Sequence, residues 1–119
     1  MKKKFIVKDS KDFAKIIKTG QCKKNSSFII HSINNNFNYD RYGISVSKKL
    51  GNAVYRNKYK RRIRNIVDNY KKVYINKQDY IIILRKSGTE KSFQELEKDF
   101  FELMNRLNKN RKEINNEGK

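Results

Sequence analysis

The chain has 119 residues and carries 30 Lys and Arg against 12 Asp and Glu, a formal net charge of +18. That length suits a single domain over residues 1–119, and apolar side chains at 36% of the total are enough for one small core, which excludes wholesale disorder. A surplus of this size repels itself unless a polyanion neutralises it, so basic or neutral partners are poor candidates from the outset.

Residues 1–8 read as a basic arm. Ser10 is placed to cap a helix from Lys11 to Thr19, with Phe13, Ile16 and Ile17 on one face and Gly20 as its stop. Ser27 to Ile33 is β-prone, and residues 34–40 (NNNFNYD) form a turn-rich connection. Tyr42 to Ser47 alternates, with Tyr42, Ile44 and Val46 on one side and Gly43, Ser45 and Ser47 on the other. Gly51 and Asn52 open a helix running to about Lys72, with Asn52 as its cap. Asp79 to Arg85 is a short apolar strand buried on both faces. Ser92 and Glu95 have the spacing of a capping box, and Leu96, Phe100, Leu103 and Leu107 follow at helical intervals. Residues 108–119 have little to bury and read as a frayed tail. The order is α-β-β-α-β-α, an α/β (α+β) two-layer sandwich.

The charge is unevenly placed. Residues 1–72 hold 20 basic and 4 acidic side chains, whereas residues 73–119 hold 10 and 8. Lys outnumbers Arg 22 to 8, which makes the arginines the more selective signal. Four of them, Arg56, Arg61, Arg62 and Arg64, fall within nine residues of the central helix. At about 100° per residue, Tyr55, Tyr59, Ile63, Ile66, Val67 and Tyr70 share one arc that must face a core. Arg56, Lys60 and Arg64 form a row beside it, and Asn57 and Arg61 form the next, with Lys58 and Arg62 on the other flank.

A solvated helix interleaves Glu with Lys, because like charges at i, i+4 are mildly destabilising. Here no acid stands between Asp40 and Asp68. A same-sign ridge is expected if a phosphate backbone lies against it, and Arg suits that role because its planar guanidinium grips phosphate oxygens bidentately. No Cys/His zinc spacing and no basic region running into a leucine heptad favours DNA. Single-stranded RNA is read by aromatics beside basic groups, for which Phe13, Phe28 and His31 are the candidates.

Other classes fare badly. The longest apolar run, Tyr80 to Leu84, falls far short of the roughly 20 residues of a bilayer span. The lysine-rich start lacks the features of a secretory signal, and the single cysteine, Cys22, offers no internal disulfide, so a cytoplasmic location is expected. No pair of acids in the basic half is spaced to hold a divalent ion, His31 has no sequence-adjacent partner, and no Gly-rich phosphate loop is present. No catalytic residue, no metal ligand and no obligate protein partner is therefore expected from the chain itself. A structural ribosomal RNA-binding protein, and less readily a stand-alone nuclease, remain the alternatives.

The run Gly43-Ile-Ser-Val-Ser-Lys-Lys-Leu-Gly51-Asn-Ala-Val-Tyr-Arg56-Asn57-Lys-Tyr-Lys60-Arg61-Arg-Ile-Arg64 closely resembles the signature of the bacterial ribonuclease P protein subunit. The resemblance extends over roughly residues 3–110. It implies a left-handed β-α-β crossover through the central helix, an exception to the usual right-handed rule. It also implies a helper of a ribozyme, in which the RNA subunit, with its magnesium ions, hydrolyses the bond joining the 5′ leader to mature tRNA. Arg56, Asn57, Lys60, Arg61 and Arg64 match the positions that contact the RNA subunit, and Lys58 stands where the family has the second Arg of Arg-Asn-Arg. Phe13, Ile17 and His31 fall where the family lines a cleft for the precursor tRNA leader, with Lys60 and Arg64 at its edge. His31 takes a position where Tyr is common.

Overall fold

The first helix, α1 (Ser10–Thr19), starts where the Asp9 carboxylate accepts the Lys11 N–H at 2.8 Å. Asp9 rather than Ser10 is thus the cap, and its charge also complements the positive end of the helix dipole. In the computed structural model, which describes residues 2–109, α1 is followed by β1 (Gln21–Lys24), β2 (Phe28–Asn34) and β3 (Arg41–Ser45). Then come α2 (Ala53–Lys71), β4 (Gln78–Leu84) and α3 (Phe93–Leu107). The order α-β-β-α-β-α is present, with β1 as an additional edge strand. All four β1 residues are exposed and none is β-branched, so the strand has no hydrophobic pattern to announce it.

The sheet order is β1-β2-β4-β3. β2 runs antiparallel to both β1 and β4, whereas β3 and β4 are parallel neighbours joined through α2, a β-α-β crossover. Strand alternation divides the sheet cleanly. Phe28, Ile30, Tyr42, Tyr80, Ile82 and Leu84 point to one face and pack with Tyr59, Ile63, Ile66, Val67 and Tyr70 of α2 and Leu96, Phe100, Leu103 and Met104 of α3. This is the two-layer sandwich. On the other face lies α1 alone, where Ile16 packs with Val7 and Ile81, and Phe13, Ile33 and Ile83 are partly covered.

Helix ends are satisfied as their sequences direct. Asn52 Oδ1 accepts the Tyr55 N–H at 3.0 Å to start α2, and the Ser92/Glu95 capping box closes both ways at the start of α3. Between α2 and β4 the chain turns over a buried polar cluster. The Asp40 carboxylate accepts the backbone N–H groups of Asn76 (2.9 Å) and Gln78 (2.7 Å), and Asn76 Nδ2 donates to the Tyr70 and Tyr80 hydroxyls. Asn108 Nδ2 donates to the same Tyr80 hydroxyl at 2.8 Å, so the first residue of the expected tail is built into the core. From residue 110 that tail lies outside the described residues. The basic arm is also partly built in. The Val7 N–H donates to the Tyr42 carbonyl at 3.0 Å, Ile6 bridges Tyr42, and Val7 is buried, while Lys2, Lys3, Lys4 and Lys8 stay exposed.

Two glycines let α1 lie close on the sheet. A Cβ on Gly20 would stand 2.4 Å from the Ser32 carbonyl oxygen, and one on Gly43 would stand 2.5 Å from Phe13 Cζ and 2.9 Å from Ile81 Cδ1. Gly43→Ala is therefore expected to push the Phe13 ring off the sheet and to lower stability by about 1–3 kcal/mol, the range for overpacking a filled site. Denaturant unfolding checks this; an unchanged midpoint would show that Phe13 has room to move.

Candidate nucleic-acid interface

α2 presents different chemistry on each side. Its apolar stripe is buried, and Arg62 lies with its guanidinium carbon 5.3 Å from the Tyr59 ring centroid. On the side away from the stripe, Asn57 and Arg61 are exposed, and Lys58 is exposed toward the flank of Arg62. Between the two, Lys60 is half-buried and Arg64 exposed, on the flank that faces β3. Arg56 is half-buried, and its Nε donates to the Gly51 carbonyl at 3.3 Å, which ties the side chain back over the helix start. Among the described residues, none of Arg56, Lys58, Lys60, Arg61 and Arg64 forms an ion pair with an acid.

Two basic groups elsewhere, Arg41 and Lys91, are partnered by acids. Arg41 grips Asp79 bidentately (2.9 and 2.5 Å), lies 4.9 Å above the Phe37 ring and approaches Asp12 at 3.8 Å. Its hydrogen bond to Asp79 raises the guanidinium pKa further against the effect of burial. Lys91 holds Asp99 at 2.6 Å. Burial alone would raise the Asp99 carboxyl, but Lys91 and the Ser27 hydroxyl outweigh it and hold the pKa low. The α2 cations differ from these two, and from the scattered exposed lysines, in lying together on one helix: their charge is left for something outside the chain.

Phe13, Lys60 and Arg64 come from separate elements and line one small cavity of about 110 Å³, with Ile6, Val7, Tyr42 and Ile44 completing it. An aromatic ring half-exposed beside two cations is the arrangement that stacks on a base and holds its phosphate. Ile17, one turn after Phe13 and 44% exposed, extends the apolar side of α1. His31 lies on the same face of the sheet, in register with Cys22 and Ile81, and Ile29 and Ile83 beside it are only half-buried. The face not covered by α1 is thus an apolar floor flanked by basic residues.

Phe28 must be removed from this surface. It is fully buried, points to the opposite face of the sheet from His31 and meets the Phe100 ring edge-on at 5.8 Å. Strand alternation separates the two: Phe28 and His31 are an odd number of residues apart, so one β-strand cannot show both to the same ligand. Conversely, Val7, Tyr42 and Ile44 belong to the cavity wall and were not candidates from sequence. Ile29 could have been found by extending the same alternation from His31, whereas Ile83 joins it only through the β2–β4 pairing.

The His31 imidazole is pushed below its ordinary pKa of 6.5 by burial, and its Nδ1 is buried without a hydrogen-bond partner. At neutral pH it therefore offers the floor a neutral aromatic ring rather than a charge. The unfolded chain takes up this proton at higher pH than the fold does. The stability contributed by the neutral ring is complete above the unfolded value and is lost as pH falls through the folded one. Between about pH 7.5 and 5.5 the wild type is expected to lose stability relative to His31→Gln. Denaturant unfolding at each pH reads the difference, and parallel curves would show that this ring does not carry the effect.

No helix among the described residues is long and apolar enough to cross a membrane, and no three His, Cys, Asp or Glu side chains there group as a metal site would require. The fold and the unpaired ridge define a small α+β protein of the polyanion-facing class. The Ribonuclease P family model matches residues 1–108. The ribonuclease P protein component of Streptococcus pneumoniae (strain Hungary19A-6) is 43% identical over 104 residues, 87% of this chain and 85% of that protein. Among solved structures, the RNase P protein of Staphylococcus aureus superposes with a TM-score of 0.81 at 33% identity, over 87% of this chain and 95% of the other. The RNase P protein of Thermotoga maritima gives 0.75 at 33% identity, over 80% and 90%. The chain belongs to the ribonuclease P protein family.

Proposed function

We propose that this chain assists an RNA subunit in removing the 5′ leader from precursor tRNA, binding the RNA subunit along α2 and the leader in the cleft beside α1. The observation that carries the reading is the meeting of Phe13, Lys60 and Arg64 around one cavity. Leader nucleotides are single-stranded, so their bases are free to stack on Phe13 while Lys60 and Arg64 neutralise the phosphates between them. His31, Ile17 and the half-buried isoleucines supply a floor that accepts any base, because every base has an apolar face.

At about 100° per residue, Lys58 and Arg61 turn roughly 60–160° around α2 from the Lys60 and Arg64 that border the cavity, with Asn57 between the two sets, so RNA can meet α2 on both sides at once. Arg61 grips a phosphate of the RNA subunit, and Lys58 supplies charge without the bidentate fork of an Arg. Arg56, tied to the Gly51 carbonyl, fixes the start of the helix toward the same strand. In this reading the phosphodiester is broken at the RNA subunit, where magnesium is held. The protein's part is orientation and charge neutralisation, which raise the local concentration of correctly placed substrate.

Mixing the protein with ribonuclease P RNA is expected to restore leader removal at low magnesium, with the protein alone inactive. Cleavage by the protein alone at the rate of the mixture would overturn the reading. Replacing Phe13 with Ala is expected to weaken precursor tRNA binding by the assembled particle roughly tenfold, from the loss of one stacking contact, and to leave mature tRNA binding nearly unchanged. Equal losses on both substrates would remove Phe13 from the leader cleft.

A further inference from the structure

Val54 is 79% exposed, far more than any other large apolar side chain among the described residues. It stands in the first turn of α2, and Asn57, Lys58 and Arg61 follow it at i+3, i+4 and i+7, all exposed on the same ridge. That ridge lies opposite the buried stripe of Tyr59, Ile63, Ile66, Val67 and Tyr70. Nothing inside the fold favours valine here: it touches no core, and a β-branched residue on an exposed helix is worse than Ala by a few tenths of a kcal/mol. An apolar branch set among cations fits a surface that is anionic around an apolar patch.

We propose that Val54 packs against the face of an unpaired base in the RNA subunit, as the apolar member of the ridge. This deepens the reading above and rests on it. The charge around Val54 selects a polyanion, and among the surfaces an RNA offers, a paired stretch hides its base faces in the stack and shows phosphates and 2′-hydroxyls outward. An unstacked nucleotide instead presents a flat π-face broad enough to bury an isopropyl group. Phosphate contacts fix where a strand lies without distinguishing its structure. Val54 would make α2 prefer a site where a base is turned out between two gripped phosphates.

The contact releases no counterions, so its contribution is independent of salt, unlike that of Arg61. The test is the affinity of the full chain for a ribonuclease P RNA transcript at several salt concentrations. Val54→Thr keeps the shape and removes the apolar surface; it is expected to weaken binding roughly three- to tenfold with the wild-type salt slope. Val54→Ile is expected to bind at least as tightly as wild type, and Val54→Ala is expected to bind weakly while unfolding at no lower temperature. Arg61→Ala, by comparison, is expected to flatten the slope by about one.

Unchanged affinity for Val54→Thr at every salt concentration overturns the proposal. So does a loss that changes the slope, or an effect on self-association of the free protein in place of RNA affinity. If the wild type binds the transcript no better than an unrelated RNA of equal length, the underlying reading falls. A normal wild type with an indifferent Val54→Thr removes only the contact.

Discussion

The basic surface of this protein hangs on the burial of one helical stripe. α2 carries Arg56, Lys58, Lys60, Arg61, Arg62 and Arg64 with no acid among them, so as an isolated helix it would be held back by repulsion of about 0.2–0.5 kcal/mol for each like-charged i, i+4 pair. Against that stand Tyr59, Ile63, Ile66, Val67 and Tyr70, all buried, each worth about 1.5–3 kcal/mol on leaving water. Burial outweighs repulsion several-fold, and the ridge can therefore stay unneutralised until a partner arrives. The crossover adds geometry to this energetic margin. Because β3 and β4 are parallel neighbours, α2 must run back along the sheet, which sets its cationic flank beside the edge where Phe13 reaches.

The cleft depends in turn on how α1 is held. Gly20 and Gly43 allow the helix to sit against the sheet, and Arg41 draws Asp12, Phe37 and Asp79 together near its start. These contacts leave α1 covering only part of its face. The uncovered remainder, with His31, Ile29 and Ile83, costs the fold some apolar exposure, and that exposure is what a stacked base would relieve.

Most of the scaffold was legible in the sequence because its elements are strongly periodic. The α2 stripe and the alternation of Tyr42, Ile44 and Val46 each express a single repeat, and the Ser92 capping box a fixed spacing; all three are present, although β3 ends at Ser45 and Val46 packs just beyond it. β1 was not legible: Gln21 to Lys24 is polar throughout and is a strand only because β2 offers it an edge. The site was legible in its charged half, since a same-sign ridge is visible in one dimension. Of its apolar half, Phe13, Ile17 and His31 were named in advance, whereas Val7, Tyr42 and Ile44 are brought beside Phe13 by the fold alone. Phe28 looked as suitable as His31 until strand parity placed it in the core.

The pairing of Ile6 with Tyr42 also determines how the sheet ends. β3 would otherwise be a bare edge of five residues, open to strand addition by another chain. The arm bridges it at Tyr42, and the far edge, β1, carries Lys23 and Lys24. A protein whose charge is largely cancelled once it meets RNA loses the electrostatic repulsion that kept its copies apart. These two edges, one bridged at Tyr42 by the chain's own backbone and one carrying lysine, would hinder sheet-to-sheet association once RNA cancels that repulsion.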